Sequence, residues 1–174
     1  MMVYWKEGKM VEKRISKDPL KDFLPEGFLK THRDVSQVTV TSFETPLGPM
    51  LCASDEEGIY LLDFINPQKL ACELFSLSKA LKRSLVRGET TITTQVKQEL
   101  EIYFKGESFL FKTPCHVRGT PFQRKVWETL QKIPVGETWS YLDLAQSIGY
   151  PTAYRAVAQA NRTNPFVILV PCHR

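Results

Sequence analysis

Between Thr120 and Pro165 three helix start and stop signals follow one another in close succession. Thr120 offers a capping hydroxyl, Pro121 fits the first helical position, and Gln123 stands where a reciprocal capping box needs it. Phe122, Val126, Leu130 and Ile133 then recur at helical spacing as one apolar stripe. Pro134-Val135-Gly136-Glu137-Thr138 reads as a turn. Ser140 opens a second helix from Tyr141 to Ile148, with Asp143 at its third position and Gly149 at its end. Thr152 opens a third from Ala153 to Thr163, stopped by Asn164-Pro165 because the residue before proline is pushed out of the helical region. The apolar run Phe166–Val170 then reads as a buried strand. Three short helices and a strand describe either a winged helix-turn-helix or a plain helical subdomain, and spacing alone does not choose.

The upstream half has a different texture. Residues 1–36 are a mixed-charge stretch without periodicity, read as a short helix and a linker. From Gln37, alternation over Val38, Val40 and Ser42, the turn Pro46–Pro49, and the runs Met50–Ala53 and Ile59–Phe64 predict an antiparallel meander. Helices are expected over 67–82 and 93–105, the second closed by Gly106. The class is therefore α+β: an N-terminal extension (1–36), a small sheet-and-helix domain (37–113) and a C-terminal helical domain (118–174). A chain of 174 residues that is 43% hydrophobic and 24% charged can hold two small globular domains. No run approaches the ~18 apolar residues of a membrane span, and the start lacks the apolar core of a signal peptide. A cytoplasmic protein is expected, or a nuclear one in a eukaryote. Cys52, Cys72, Cys115 and Cys172 are too scattered for a disulfide framework or a paired metal site, so no metal is expected.

Charge is unevenly placed. Residues 118–174 carry seven basic and three acidic side chains, whereas the first 117 residues balance at sixteen of each sign. A basic C-terminal part suits a polyanion, as it also suits a solvated surface. The run ends in Pro171-Cys172-His173-Arg174. A thiol attacks only as thiolate, and a neighbouring imidazole or guanidinium favours that form; the alternative is a packed cysteine at a strand end. A second Pro-Cys-His at 114–116 follows no long apolar run and reads as a coincidental connector.

In order and in register, Gly119–Trp127, Ile133–Tyr141, Arg155-Ala156-Val157-Ala158, Asn164-Pro165 and Pro171–Arg174 resemble the O6-alkylguanine-DNA alkyltransferases, the methylated-DNA–protein-cysteine S-methyltransferases. The likeness is strong over 118–174 and looser upstream. It implies a small N-terminal α+β domain joined to a winged helix-turn-helix. It also implies transfer of an alkyl group from guanine O6, with O4-alkylthymine as a second candidate, to the protein's own cysteine. The partner implied is double-stranded DNA, met by a monomer without a cofactor. The thioether product makes each molecule act once. Relatives continue past the position of Arg174, so a truncated sequence is expected.

The resemblance also implies roles. Cys172 is the alkyl acceptor, and His173 reaches it through a water because neighbours on an extended segment point apart. Tyr141 donates to the departing base; it is otherwise a half-buried aromatic. Asn164 ties the helices to the cysteine segment, or only stops a helix. Arg155, at the third position of its helix, enters the base stack when the nucleotide is rotated out, or is an ordinary surface arginine. Ser140, Thr152, Ala153, Ala156 and Gln159 complete the DNA face, with Ala158 and Ala160 as small groove-facing residues; helix packing explains some of those alanines equally well. Gln159 stands where some relatives have glycine. The alternative function is a damage sensor that flips the base without transfer, although known sensors replace the cysteine. A transcription regulator would need polar side chains where the alanines stand, and a thiol protease would need a separate histidine.

Overall fold

The computed structural model describes residues 2–6, 9–13, 18–29 and 37–174; the rest of the expected linker lies outside the described residues. Strands β1 (Met2–Lys6) and β2 (Lys9–Lys13) pair antiparallel from Met2↔Lys13 to Lys6↔Lys9, a hairpin not anticipated from the sequence. The expected short helix is α1 (Pro19–Phe23).

The main sheet contains β3 (Val38–Phe43), β4 (Met50–Ser54), β5 (Ile59–Phe64) and β6 (Leu85–Arg87) in the order β5-β4-β3-β6. Reciprocal backbone bonds between Thr45 and Gly48 fold β4 back from β3. All five residues of the inner strand β4 are buried, as befits a strand covered on both faces. The meander is not the whole sheet. β6 adds parallel to β3, with Val38 opposite Leu85 and Val40 opposite Arg87. Parallel neighbours need a long crossover, and α2 (Leu70–Leu81) lies on the path from β5 to β6. Its C-cap, Lys82, adopts the left-handed conformation at φ 54°.

The chain divides into two compact units, one of residues up to Leu51 with Phe64–Glu89, the other of Cys52–Asp63 with Thr90–Arg174. This division does not run along 113/118: most of β5 groups with the C-terminal helices. The cause is backbone bonding from Ile59 to Pro114 and His116, and from Leu62 to Pro165 and Val167. Helix α3 (Thr91–Phe104) belongs to the same unit. It starts two residues before the predicted onset because Thr90 and Thr93 form a capping box, with Ser54 Oγ 2.8 Å and 3.0 Å from their hydroxyls. Helices α4 (Pro121–Leu130), α5 (Tyr141–Ser147) and α6 (Tyr154–Arg162) complete this unit and pack on one another. Among the described residues no helix is long and apolar enough to cross a membrane.

Candidate active site

The capping box expected at Thr120 and Gln123 forms as written, and Ser140 and Asp143 form a second. In α4, Gln123 N–H donates to Thr120 Oγ1 at 3.2 Å and Thr120 N–H to Gln123 Oε1 at 2.9 Å. The Gln123 amide also donates to Thr163 Oγ1 at 3.0 Å, linking the start of α4 to the end of α6. Trp127 reinforces that link, its indole N–H donating to Ala160 O at 2.9 Å. Gly119 makes room for the indole: a Cβ there would lie 2.8 Å from the ring. In α5, Asp143 accepts from the Ser140 hydroxyl at 2.6 Å and its N–H at 2.8 Å. Those bonds hold the Asp143 carboxyl below the usual range.

Helix α6 departs from expectation at its start. Its N-cap is Ala153, which has no side chain to cap with, and Thr152 stands exposed in the preceding turn. Ala153 N–H donates to Tyr150 O at 2.8 Å, so the chain closes a turn where a capping threonine was expected. Arg155 is thus the second helical residue rather than the third. It is exposed, its guanidinium 5.8 Å from the Tyr154 ring centroid. Ala156 and Gln159 are also exposed, and Ala153 and Ala158 half-buried. Ala160 is buried and packs inward, so it is no groove-facing residue. Tyr141 and Ser140 are exposed at the start of α5.

The apolar run before Cys172 is not a strand. Apart from one parallel bridge between Phe166 and Leu62, it coils through turns. Val170 N–H donates to Phe166 O at 2.9 Å, and Ile168 takes the left-handed conformation at φ 75°. Phe166, Ile168, Leu169 and Val170 are all buried; a compact coil hides an apolar run as fully as a ladder does. The coil ends in a second tight turn, with Cys172 N–H donating to Val170 O at 2.8 Å and Arg174 N–H to Pro171 O at 3.1 Å. Cys172, half-buried, and His173, exposed, occupy its two central positions. The extended geometry invoked to point them apart therefore does not exist. Neither side chain has a hydrogen bond among the described residues.

Asn164 pins this coil from inside. Only 8% exposed, it donates from Nδ2 to Val170 O at 2.9 Å and accepts from Phe166 N–H at 3.0 Å. Arg174 anchors the far side through Nη1 to Ile133 O at 3.0 Å. Partial desolvation, then the adjacent Arg174 charge, push the His173 imidazole below its ordinary value. A base so disposed is neutral at physiological pH and free to take a proton.

The second Pro-Cys-His is a connector, as expected, and its histidine is fastened in place. His116 stacks on Tyr60, ring centroids 4.2 Å apart, and its Nε2 lies 2.9 Å from Asp55 Oδ1. Tyr60 donates its hydroxyl to Asp55 Oδ2 at 2.7 Å. Glu99 accepts from the backbone N–H groups of Lys112 and Thr113 and from the Thr113 hydroxyl. Burial alone would raise the Glu99 carboxyl, but these bonds and one from Gln95 outweigh it and hold it low. Cys115 itself is pushed up to about 11, first by burial and then by the Glu99 charge. Such a thiol is inert at neutral pH. A cavity of about 270 Å³ is lined by Thr113 and Cys115 of this connector and by Ile168, Leu169, Pro171 and Arg174 of the cysteine coil.

Family comparison assigns the two halves separately. Residues 121–174 match the model of the 6-O-methylguanine DNA methyltransferase DNA binding domain, and residues 38–117 the ribonuclease-like domain of the same enzymes. The chain belongs to the 6-O-methylguanine DNA methyltransferase family. It is 42% identical over 134 residues to the constitutive methylated-DNA–protein-cysteine methyltransferase of Bacillus subtilis, covering 77% of this chain and 78% of that one. A Methanosarcina acetivorans methylated-DNA–protein-cysteine methyltransferase is 41% identical over 132 residues, covering 76% and 79%. The crystal structure of Mycobacterium tuberculosis OGT in complex with DNA aligns with a TM-score of 0.65 at 33% identity, covering 79% of this chain and 77% of that chain. The α+β class expected from the sequence is the fold of this family. Methyltransferases of this family repair DNA by moving a methyl group to a protein cysteine, and this chain is one of them. Three supporting residues escaped sequence reading: Trp127, read only as part of a motif, Leu62, which bonds Pro165 and Val167, and Asp55, which holds His116 61 positions away.

Proposed function

We propose that Cys172 is the acceptor and takes the methyl group from guanine O6 in double-stranded DNA once per molecule. The observation that carries this reading is the Cys172 turn, pinned by Asn164 through Val170 within the segment that matches the DNA binding domain. A thiol held in one place meets the geometric demand of in-line attack on a saturated carbon. The Sγ–CH₃ bond forms as the CH₃–O bond breaks, and the electron pair leaves with the guanine oxygen. The thiol proton passes to neutral His173 through a bridging water, since no direct bond joins the two. Tyr141 donates to the departing base and offsets its charge. Arg155 fills the place of the rotated nucleotide, with Ser140, Thr152, Ala153, Ala156 and Gln159 facing the duplex. The methyl group comes from the DNA, so no separate donor is required.

In this reading residues 37–113 support and residues 118–174 bind and react, a division in keeping with the two family matches. The protein acts as a monomer, in the cytoplasm as the bacterial and archaeal sources of its relatives suggest. The test is intact mass after incubation with an oligonucleotide containing O6-methylguanine. A gain of one methyl group is expected, lost in Cys172→Ser and kept in Cys115→Ser. Binding without any mass gain would make the protein a damage sensor instead.

A further inference from the structure

Tyr150 is an aromatic residue that is half exposed yet immobilised. It is 50% exposed, in the turn between α5 and α6. Its N–H donates to Ala145 O at 2.9 Å, and its carbonyl accepts from Ala153, the N-cap of α6, at 2.8 Å. The ring meets the edge of Phe122 at 5.7 Å between centroids, with planes at 71°. The ammonium of Lys125 lies 5.3 Å from the ring centroid. Among the described residues Lys125 has no carboxylate partner. Its positive charge is therefore held against an aromatic ring and left available to an outside anion.

The geometry points to Lys125 and Tyr150 as a phosphate-binding pair that docks the DNA backbone beside the α6 N-terminus. Two observations single it out from the other surface cations of this basic segment. The ring is braced by packing and by backbone bonds on both sides, so little freedom is lost on binding. The turn that carries it is also the turn that starts α6, so a phosphate caught there fixes the helix bearing Arg155 against the duplex. A phosphate oxygen takes the ammonium charge and a hydrogen bond from the phenol together. Phosphate contacts set position and carry no sequence information. The pair is thus a positioning element, and it rests on the DNA-repair reading above.

The test is the salt dependence of binding to an undamaged duplex, beside the single-turnover rate at saturating methylated duplex. Each phosphate contact contributes about 0.9 to the slope of log K against log salt. Lys125→Ala should therefore lower the slope by about that amount, so that affinity falls about threefold less between 50 and 200 mM salt than for the unsubstituted chain. Tyr150→Phe should weaken binding equally on any sequence. Arg155→Ala, by contrast, should lower the saturating transfer rate. An unchanged slope in Lys125→Ala, or a loss confined to the saturating rate, overturns the pair and leaves the repair reading intact. Absence of duplex binding by the unsubstituted chain overturns both.

Discussion

Replacing Asn164 by alanine tests how the cysteine is held. The side chain satisfies two backbone groups at once, Val170 O at 2.9 Å and Phe166 N–H at 3.0 Å, and it is buried where water does not replace it. Phe166 N–H is left unpaired while Val170 O keeps Cys172 N–H, and one buried unpaired backbone group costs about 1–3 kcal/mol, so Asn164→Ala should cost about 1–3 kcal/mol in all. That is tolerable against the roughly 5–15 kcal/mol of a typical domain. The larger consequence is positional. Val170 O also accepts from Cys172 N–H, so the turn carrying the thiol loses its inner support. A displacement near 1 Å should slow transfer about 100-fold. Guanidinium denaturation reads the first effect, and rapid-quench transfer at saturating methylated duplex the second. Affinity for undamaged duplex should stay within about threefold, because the exposed α6 face is untouched. Asn164→Asp sharpens the test: it keeps the acceptor for Phe166 N–H but turns an oxygen toward Val170 O, and should slow transfer at least as much. Loss of stability with an unchanged transfer rate would refute the reasoning and leave Asn164 as a helix stop.

Three further outcomes are expected. A Cβ at Gly58 would lie 2.9 Å from Pro114 O and 3.3 Å from the His116 ring; Gly58→Ala should cost about 1–3 kcal/mol in thermal denaturation, and a neutral result would remove the close approach as a constraint. Because His173 is pushed down, the folded protein binds fewer protons there than the unfolded chain does, so stability should fall as pH drops below the ordinary imidazole value of about 6.5. The acid limb of the transfer rate should likewise have its midpoint below that value, and a midpoint above it would contradict a lowered imidazole. Lys82 holds a left-handed C-cap at φ 54°, so Lys82→Gly should raise stability by about 0.5–1 kcal/mol, measured by denaturant midpoint.

What could be read in advance was chemistry between near neighbours. The boxes at Thr120/Gln123 and Ser140/Asp143 involve residues three apart, and both form. The start of α6 differs from the sequence expectation because the turn from Tyr150 to Ala153 competes with a hydroxyl at Thr152, and propensity alone does not weigh the two. The run Phe166–Val170 reads as a strand because burial on every side erases periodicity, and a coil and an inner strand then look alike. Strand β6, three residues long, is too short to alternate. The second Pro-Cys-His is the connector its sequence suggests, but its fastening by Asp55, 61 positions away from His116, leaves no local signal. Of the active site, the reactive residues were visible as a motif, while their supports were not.

Strand β5 works as a common rail. Ile59 and Leu62, three positions apart, carry the 114–116 connector and the 165–167 entrance to the thiol coil by paired backbone bonds. Sliding the rail shifts both passengers equally and leaves their separation intact; lengthening it by one residue between those stations does not. Side chains along the cavity wall can therefore drift over evolutionary time, while an insertion at Tyr60 or Leu61 would move the nucleophile.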